Sequence, residues 1–220
     1  LENGNMIIFA KSGGGKSYTT KLEVLRQLMM GADVIIIDPE NEYKFLADAV
    51  AGSFIKISLT SPHHINPFDL PKGQKDEAPA DILRSNIINL TGLLKMMLGQ
   101  MTPEEEAILD KAIAETYAAR DITPEADFSK VEPPLMSDLQ TLMANMAGAQ
   151  RLGDRLQKYT TGSWSGFLNQ PSNVSVTGRL TVFSIRDMED ELRPVAMYII
   201  LHFIWNIVRS ELKKRILLVD

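Results

Sequence analysis

Residues 10–17 have the sequence AKSGGGKS and lie between an apolar run, MIIF (6–9), and a segment with apolar residues at helical spacing (18–30). The eight residues fit the pattern G-x-x-x-x-G-K-[ST], except that Ala10 stands at the first glycine. In this pattern glycines let backbone N–H groups converge on an anionic phosphate, and the helix that follows adds the positive end of its dipole. The stretch therefore predicts a strand, a phosphate-binding loop and a helix, in that order.

This loop also predicts the roles of individual side chains. Lys16 is expected to neutralise the β- and γ-phosphates, and the Ser17 hydroxyl is expected to ligate Mg²⁺. No N-K-x-D segment, which would favour guanine, occurs in the 220 residues, so ATP with Mg²⁺ is the predicted ligand. The predicted nucleotide-binding residues are Ser12, Gly13, Gly14, Gly15, Lys16, Ser17 and Tyr18.

An acidic residue at the end of another strand is needed to complete the metal site. Asp220 follows the run ILLV, and Asp38 follows the run VIII. Two further strand candidates, 54–57 and 180–185, lie between Asp38 and the last strand. That order suits ATPases in which extra strands separate the loop strand from the metal-binding strand. Asp220 is therefore predicted as the metal ligand beside Ser17, and Asp38 is the rival candidate.

The segment DPENEY (38–43) places three carboxylates directly after a buried strand. Ligand crevices open at the carboxyl ends of parallel strands, so Asp38 and Glu42 are candidates for orienting water near the γ-phosphate. Acidic residues are also favoured at the start of a following helix, which is a purely structural role. The choice between these two roles is open, and Glu42 joins Lys16 and Asp220 as a candidate catalytic residue.

Strand and helix signals alternate along the chain, with one long helical interruption. Continuous apolar strands separated by helices are typical of an α/β fold with a mostly parallel sheet that is flanked by helices. Residues 1–60 and 176–220 are predicted to form this core, and 61–175 a mainly helical insert. Strands are predicted at 6–9, 34–37, 54–57, 180–185 and 216–219, and helices at 18–30, 42–50, 81–98, 103–119, 136–147, and 192–213.

Composition excludes several classes of function. The 23 basic and 28 acidic residues give a net charge of −5, which does not support nucleic-acid binding. The absence of cysteine excludes thiol nucleophiles, thiolate zinc sites and disulfides within this chain. The longest apolar run, 196–208, is shorter than the roughly 20 residues of a membrane span, and the N-terminus lacks signal-peptide features. Both ends stop within predicted elements, so we expect a fragment of a longer cytosolic protein.

Five segments in order carry a resemblance to a known family. AKSGGGKS, IIIDPENEY, HINPFDL, YTTGSWSGFLNQPSNV and ILLVD together resemble the C-terminal motor domain of the VirB-four family. These are ATPases of type IV secretion and bacterial conjugation, related to the FtsK-HerA DNA pumps. The resemblance spans essentially the whole chain, and Ala10 is a departure from the pattern. In the family the catalytic glutamate follows the strand-end aspartate, so the resemblance implies a general base beyond residue 220.

The resemblance implies a RecA-like P-loop ATPase that hydrolyses ATP with Mg²⁺. It further implies a homo-oligomer, commonly a hexamer, that works with other secretion-channel proteins as a peripheral component on the cytoplasmic side of the bacterial membrane. Its energy would drive pilus assembly or the export of protein and DNA. Two alternatives stay open: a DNA-pumping or coupling ATPase of the same superfamily, and a nucleotide-binding module without hydrolysis. DNA is a possible partner that the net charge does not support.

Overall fold

A computed structural model of the chain describes residues 4–71, 78–125, 127–128, 131–211 and 213–220. The chain divides into two compact units. The first unit comprises Leu1–Phe54, Thr177–Arg186 and Lys213–Asp220, and the second comprises Ile55–Val176 and Asp187–Leu212. The division into 1–60 with 176–220 and a helical insert at 61–175 stays a prediction about domain organisation.

A four-stranded parallel sheet carries the fold. Its strands are β1 (Asp33–Asp38), β2 (Ser53–Lys56), β3 (Leu180–Ser184) and β4 (Arg215–Val219), in the spatial order β2-β3-β1-β4. The central strand β1 pairs in parallel with both β3 and β4. β3 is buried along its whole length and β1 from its second residue onward, as expected for continuous apolar strands inside a parallel sheet. The predicted α/β class is confirmed.

Two helices pack on this sheet in the first unit: α1 (Lys16–Met29) and α2 (Lys44–Ala49). The buried residues of α1 are Thr20, Val24 and Leu28, which recur every four residues and so share one helix face. Gly31, with φ at +87°, follows the end of this helix, where a left-handed glycine is common. The core of the unit consists of Val24, Leu28, Val34, Ile36, Tyr43, Ala47, Leu180 and Val182.

The second unit is helical. It contains α3 (Pro79–Leu98), α4 (Pro103–Ala118), α5 (Met136–Asn145), α6 (Gln150–Thr160), α7 (Ser165–Leu168) and α8 (Arg193–Ser210). Four of these agree closely with the predicted helices, whereas α6 and α7 were not predicted. Along the described part of the chain, none of the helices has both the length and the apolar character to cross a membrane.

One predicted strand is wrong. Within the described part of the chain the run MIIF (6–9) pairs with no strand, and Met6, Ile7 and Phe9 are exposed, Phe9 to 90%. A groove separates residues 4–8 from β4, so the hydrogen bonds that define a strand are not made. An apolar run indicates strand character, but it cannot show whether a neighbouring edge is within hydrogen-bonding distance.

Candidate nucleotide-binding site

The loop before α1 is shaped by its three glycines. Gly13 and Gly15 have φ of +74° and +82°, in the left-handed region that other residues rarely adopt. Gly14 donates its backbone N–H to the Lys11 carbonyl oxygen at 2.8 Å, and a Cβ on Gly14 would lie 2.8 Å from the same oxygen. Left-handed glycines in such a loop are typical of a concavity in which backbone N–H groups bind an anion.

The first turn of α1 extends this concavity. Gly15 is the N-cap and supplies no side-chain acceptor, and the described helix has no acidic residue in its first turn. The N–H groups at the start of a helix have no partner within the helix, and the helix dipole is positive there. Lys16, Ser17 and Tyr18 form this turn, so the predicted phosphate-binding residues are contiguous at the helix start.

The end of β4 meets the start of α1. Lys16 Nζ forms an ion pair with Asp220 Oδ1, and the Asp220 side chain is almost fully buried. Asp220 also donates its backbone N–H to the Ile37 carbonyl oxygen at 3.2 Å, one step beyond the Ile37–Val219 register pair. Two residues that are 204 positions apart in sequence are therefore neighbours in space. The geometry thus brings together Lys16 and Asp220, which were assigned separately, from the sequence, to phosphate and to the metal.

Asp38 ends β1 beside Asp220 and has a structural role. It is fully buried, and its two carboxylate oxygens accept the backbone N–H groups of Glu42 at 3.0 Å and Tyr43 at 2.9 Å. These bonds close the turn before α2, where Asn41 has φ of +61°. Both oxygens of Asp38 thus bind this turn, whereas the Asp220 carboxylate contacts Lys16.

Glu42 lies in the same turn. Its backbone is held by Asp38, while its Oε2 is buried and has no hydrogen-bond partner among the described residues. A buried carboxylate oxygen without a donor retains its full capacity to accept a hydrogen bond. Of the candidate catalytic residues, Lys16 and Asp220 contact each other, and Glu42 is in the turn after the neighbouring strand.

Two residues of this region were not predicted as part of the site: Thr20 and Tyr43. The Tyr43 hydroxyl lies 2.8 Å from Thr20 Oγ1, and both residues are buried. The sequence places Tyr43 at the end of the acidic segment and Thr20 one turn after Lys16. Nothing in either pattern indicates that the two side chains meet.

This arrangement defines the class of the protein, which is a P-loop nucleotide-binding domain of the α/β type. The TraG P-loop domain family matches the chain over residues 1–220, and the chain belongs to this family. The structure of VirB4 of Thermoanaerobacter pseudethanolicus is similar, with a TM-score of 0.84 and 30% sequence identity. The match covers 96% of this chain and 58% of that chain, so this chain spans somewhat more than half of its length. No curated protein matches. The family resemblance predicted from the five motifs is confirmed.

Proposed function

We propose that this domain binds ATP with Mg²⁺ and hydrolyses it as the motor domain of a type IV secretion or conjugation ATPase. The observation that carries the proposal is the contact between Lys16, at the end of the glycine loop, and Asp220, at the end of β4. The contact supports the proposal because it brings together, at one edge of the sheet, the cation proposed for phosphate and the carboxylate proposed for the metal.

The loop suits the phosphates of ATP. Gly13 and Gly15 take left-handed conformations, and among the described residues no atom lies within 4 Å of a Cβ built at either position, so the backbone there is open to an anion. The start of α1 adds unpaired N–H groups and a positive dipole end. Lys16 then supplies the full positive charge that the β- and γ-phosphates require.

Ser17 and Asp220 are the residues that would hold Mg²⁺. A hydroxyl and a carboxylate are hard oxygen donors, which this ion prefers. The bound ion supplies charge neutralisation to the phosphate oxygens. The Asp220 carboxylate is fixed for this purpose by its burial and by the backbone bond to Ile37.

Glu42 is our candidate for orienting the attacking water. Its buried Oε2 without a partner provides an acceptor, and its backbone is held rigidly by Asp38. The general base expected beyond residue 220 would act separately from it. Glu42→Gln keeps the shape of the side chain and removes its charge. If Glu42 orients water, this variant should turn ATP over more slowly while its affinity for ATP stays unchanged.

The wider role follows from family membership and from the likeness to VirB4. The motor is proposed to work as a homo-oligomer, most simply a hexamer, as a peripheral component on the cytoplasmic side of a bacterial membrane. Its partners would be other proteins of the secretion channel, and its energy would drive pilus assembly or the export of protein and DNA.

The test is phosphate release from Mg-ATP by the full-length parent protein, over a range of protein concentrations and with or without DNA. Lys16→Ala is expected to lower turnover about 100-fold or more, because removing one group that stabilises transition-state charge has effects of this order. Lys44→Ala, which removes an exposed lysine at the start of α2, is the matched control and should keep wild-type turnover.

The outcomes separate the alternatives. Turnover that requires Lys16, rises with protein concentration and ignores DNA supports the oligomeric secretion ATPase. Strong stimulation by DNA would indicate a DNA pump instead. ATP that stays bound without phosphate release would indicate a nucleotide-binding module, and wild-type turnover in Lys16→Ala would contradict the proposed site.

A further inference from the structure

We propose that Tyr43 is a positioning residue of the nucleotide site, which acts through Thr20 on the first turn of α1. The inference rests on the proposed function, because its effect is measured in ATP binding and turnover. It assigns a role to the last residue of DPENEY, which the phosphate-binding chemistry itself does not use.

The order of donors and acceptors leads from the Tyr43 hydroxyl to the backbone of α1. Thr20 Oγ1 lies 3.1 Å from the carbonyl oxygens of both Lys16 and Ser17, and 2.8 Å from the Tyr43 hydroxyl. Carbonyl oxygens only accept, so the single Thr20 hydroxyl proton is directed to them. The Tyr43 O–H therefore donates to Thr20 Oγ1, and Thr20 passes the interaction on to the backbone of Lys16 and Ser17.

Tyr43 is itself held in place from the sheet. Its backbone N–H donates to Asp38 Oδ2 at 2.9 Å, and Asp38 is the last residue of β1. Its ring is fully buried in the core of the first unit, and Lys21 Nζ lies 5.4 Å from the ring centroid. The hydroxyl position is thus determined by the carboxyl end of the central strand.

These hydrogen bonds affect the turn of α1 that is proposed to bind the nucleotide. A threonine hydroxyl bonded to carbonyls three and four residues earlier changes the local geometry of a helix turn. In α1 that turn carries Lys16 and Ser17, the residues assigned to phosphate and Mg²⁺. The turn that holds Glu42 and the turn that holds Lys16 are therefore joined through Tyr43 by a series of buried and partly buried hydrogen bonds.

The protonation state of Tyr43 fits this role. Burial raises the pKa of its hydroxyl above the ordinary value of 10.0. The hydroxyl is accordingly neutral at physiological pH and retains the proton that it donates to Thr20.

The experiment compares Tyr43→Phe and Thr20→Val, singly and together, with the wild-type protein. Both changes remove one hydroxyl and keep the rest of the side chain's shape. Loss of one hydrogen bond predicts a Kd for Mg-ATP about 3-fold to 10-fold higher in each single variant. The Kd of the double variant should be no higher than that of the single variant with the higher Kd, because both substitutions remove the same hydrogen-bond connection. Thr20→Ser, which keeps the hydroxyl, should bind within about twofold of wild type.

Tyr117→Phe is the matched control. Tyr117 is also fully buried, and its hydroxyl donates to the Phe68 carbonyl oxygen at 3.0 Å in the second unit. It should lower the Tm without changing the Kd for Mg-ATP, kcat or KM. A purely structural role for Tyr43 would give the same result as this control.

Two failures are distinguishable. If wild type binds Mg-ATP in a Lys16-dependent manner and Tyr43→Phe matches it in Kd, kcat and KM, the positioning role is overturned and the proposed function stands. If wild type does not bind Mg-ATP, the proposed function fails, and this inference fails with it.

Discussion

Gly14 occupies a position where a side chain does not fit. Its Cβ would lie 2.8 Å from the Lys11 carbonyl oxygen and 3.3 Å from the Ala10 Cβ, so the loop backbone would have to move. Forcing a methyl group into such a site costs about 1–3 kcal/mol. Because the loop is exposed, we expect this strain to change the phosphate concavity more than the stability of the core.

Gly14→Ala is therefore expected to weaken Mg-ATP binding about tenfold, with little change in Tm. Isothermal titration with Mg-ATP and a thermal melt would measure the two effects. Gly4→Ala is the control, because no atom lies within 4 Å of a Cβ at Gly4. Equal ATP affinity in the two variants would contradict the steric explanation.

His202 introduces a pH dependence in the second unit. Its Nε2 lies 3.2 Å from Asn86 Oδ1 and 3.3 Å from the Asn206 amide nitrogen. Asn86 is itself held in place by a hydrogen bond from its Nδ2 to the Ile82 carbonyl oxygen. Burial lowers the pKa of His202 below its ordinary value of 6.5. Between these two pKa values the unfolded chain binds a proton that the folded chain does not.

The free energy of unfolding should consequently fall as pH decreases from about 6.5 toward the lowered pKa of His202. His202→Gln should lose this part of the pH dependence, as measured by urea unfolding at several pH values between 5 and 8. Burial raises the pKa of Asp69, which acts in the opposite direction, but this contribution is common to both proteins and cancels in the comparison. Identical pH slopes would show that His202 does not carry the effect.

At the scale of elements, α4 offers a local test. It starts with a capping box in which Thr102 Oγ1 accepts from the Glu105 N–H at 3.2 Å, and Glu105 Oε2 accepts from the Thr102 N–H at 2.9 Å. Glu105 also forms a two-bond ion pair with Arg151. The signal for this start is confined to a few adjacent residues, so a helix that begins at residue 103 could be predicted from the sequence.

Thr102→Ala is expected to lower the free energy of unfolding by about 1 kcal/mol, since it removes one of the two reciprocal bonds. Chemical denaturation measures this change. Thr141→Ala on α5 is the control, because Thr141 is exposed and bonds only within its own helix, to Ser137. Its effect should stay within about 0.5 kcal/mol. A similar loss in both variants would argue against the cap.

Local patterns explain which elements could be predicted. The boundaries of α3 and α4 follow from proline, capping and apolar spacing, and the buried strands follow from runs of β-branched residues. α6 was missed because Gly153 and Asp154 interrupt a largely polar segment with a narrow apolar stripe of Leu152, Leu156 and Tyr159. The strand at 6–9 was predicted wrongly because pairing depends on a distant edge, which an apolar run does not reveal.

Some residues of the candidate site could likewise be predicted from the sequence, and others could not. Lys16, Ser17 and the glycines belong to one contiguous motif, so the sequence could identify them. The order of the strands was enough to prefer Asp220 over Asp38, but the hydrogen bonds of both Asp38 oxygens to the following turn could not be predicted. The contact between Thr20 and Tyr43 joins helix and turn across 23 positions and has no sequence signature.

At the scale of the whole chain, the net charge predicts how tightly the protein binds nucleic acid. The charge of −5 provides no general attraction to a polyanion, and the sequence pI is about 5.3. We expect DNA affinity no tighter than about 10⁻⁶ M at physiological salt, which is the range of non-specific binding. Fluorescence anisotropy at two salt concentrations measures both affinity and salt slope. Tight binding that weakens steeply with salt would instead favour the DNA pump.

The position of β4 in the sheet has a practical consequence for solubility. Among the described strands it pairs on one side only, with β1, and Leu217 and Val219 are exposed on it. Such a strand edge is a template for aggregation between copies of a protein. The chain places Lys213, Lys214 and Arg215 immediately before these apolar residues, where charged side chains act as gatekeepers against edge-to-edge stacking. These basic residues should therefore be kept in any shortened version of the domain that is intended to remain monodisperse at high concentration.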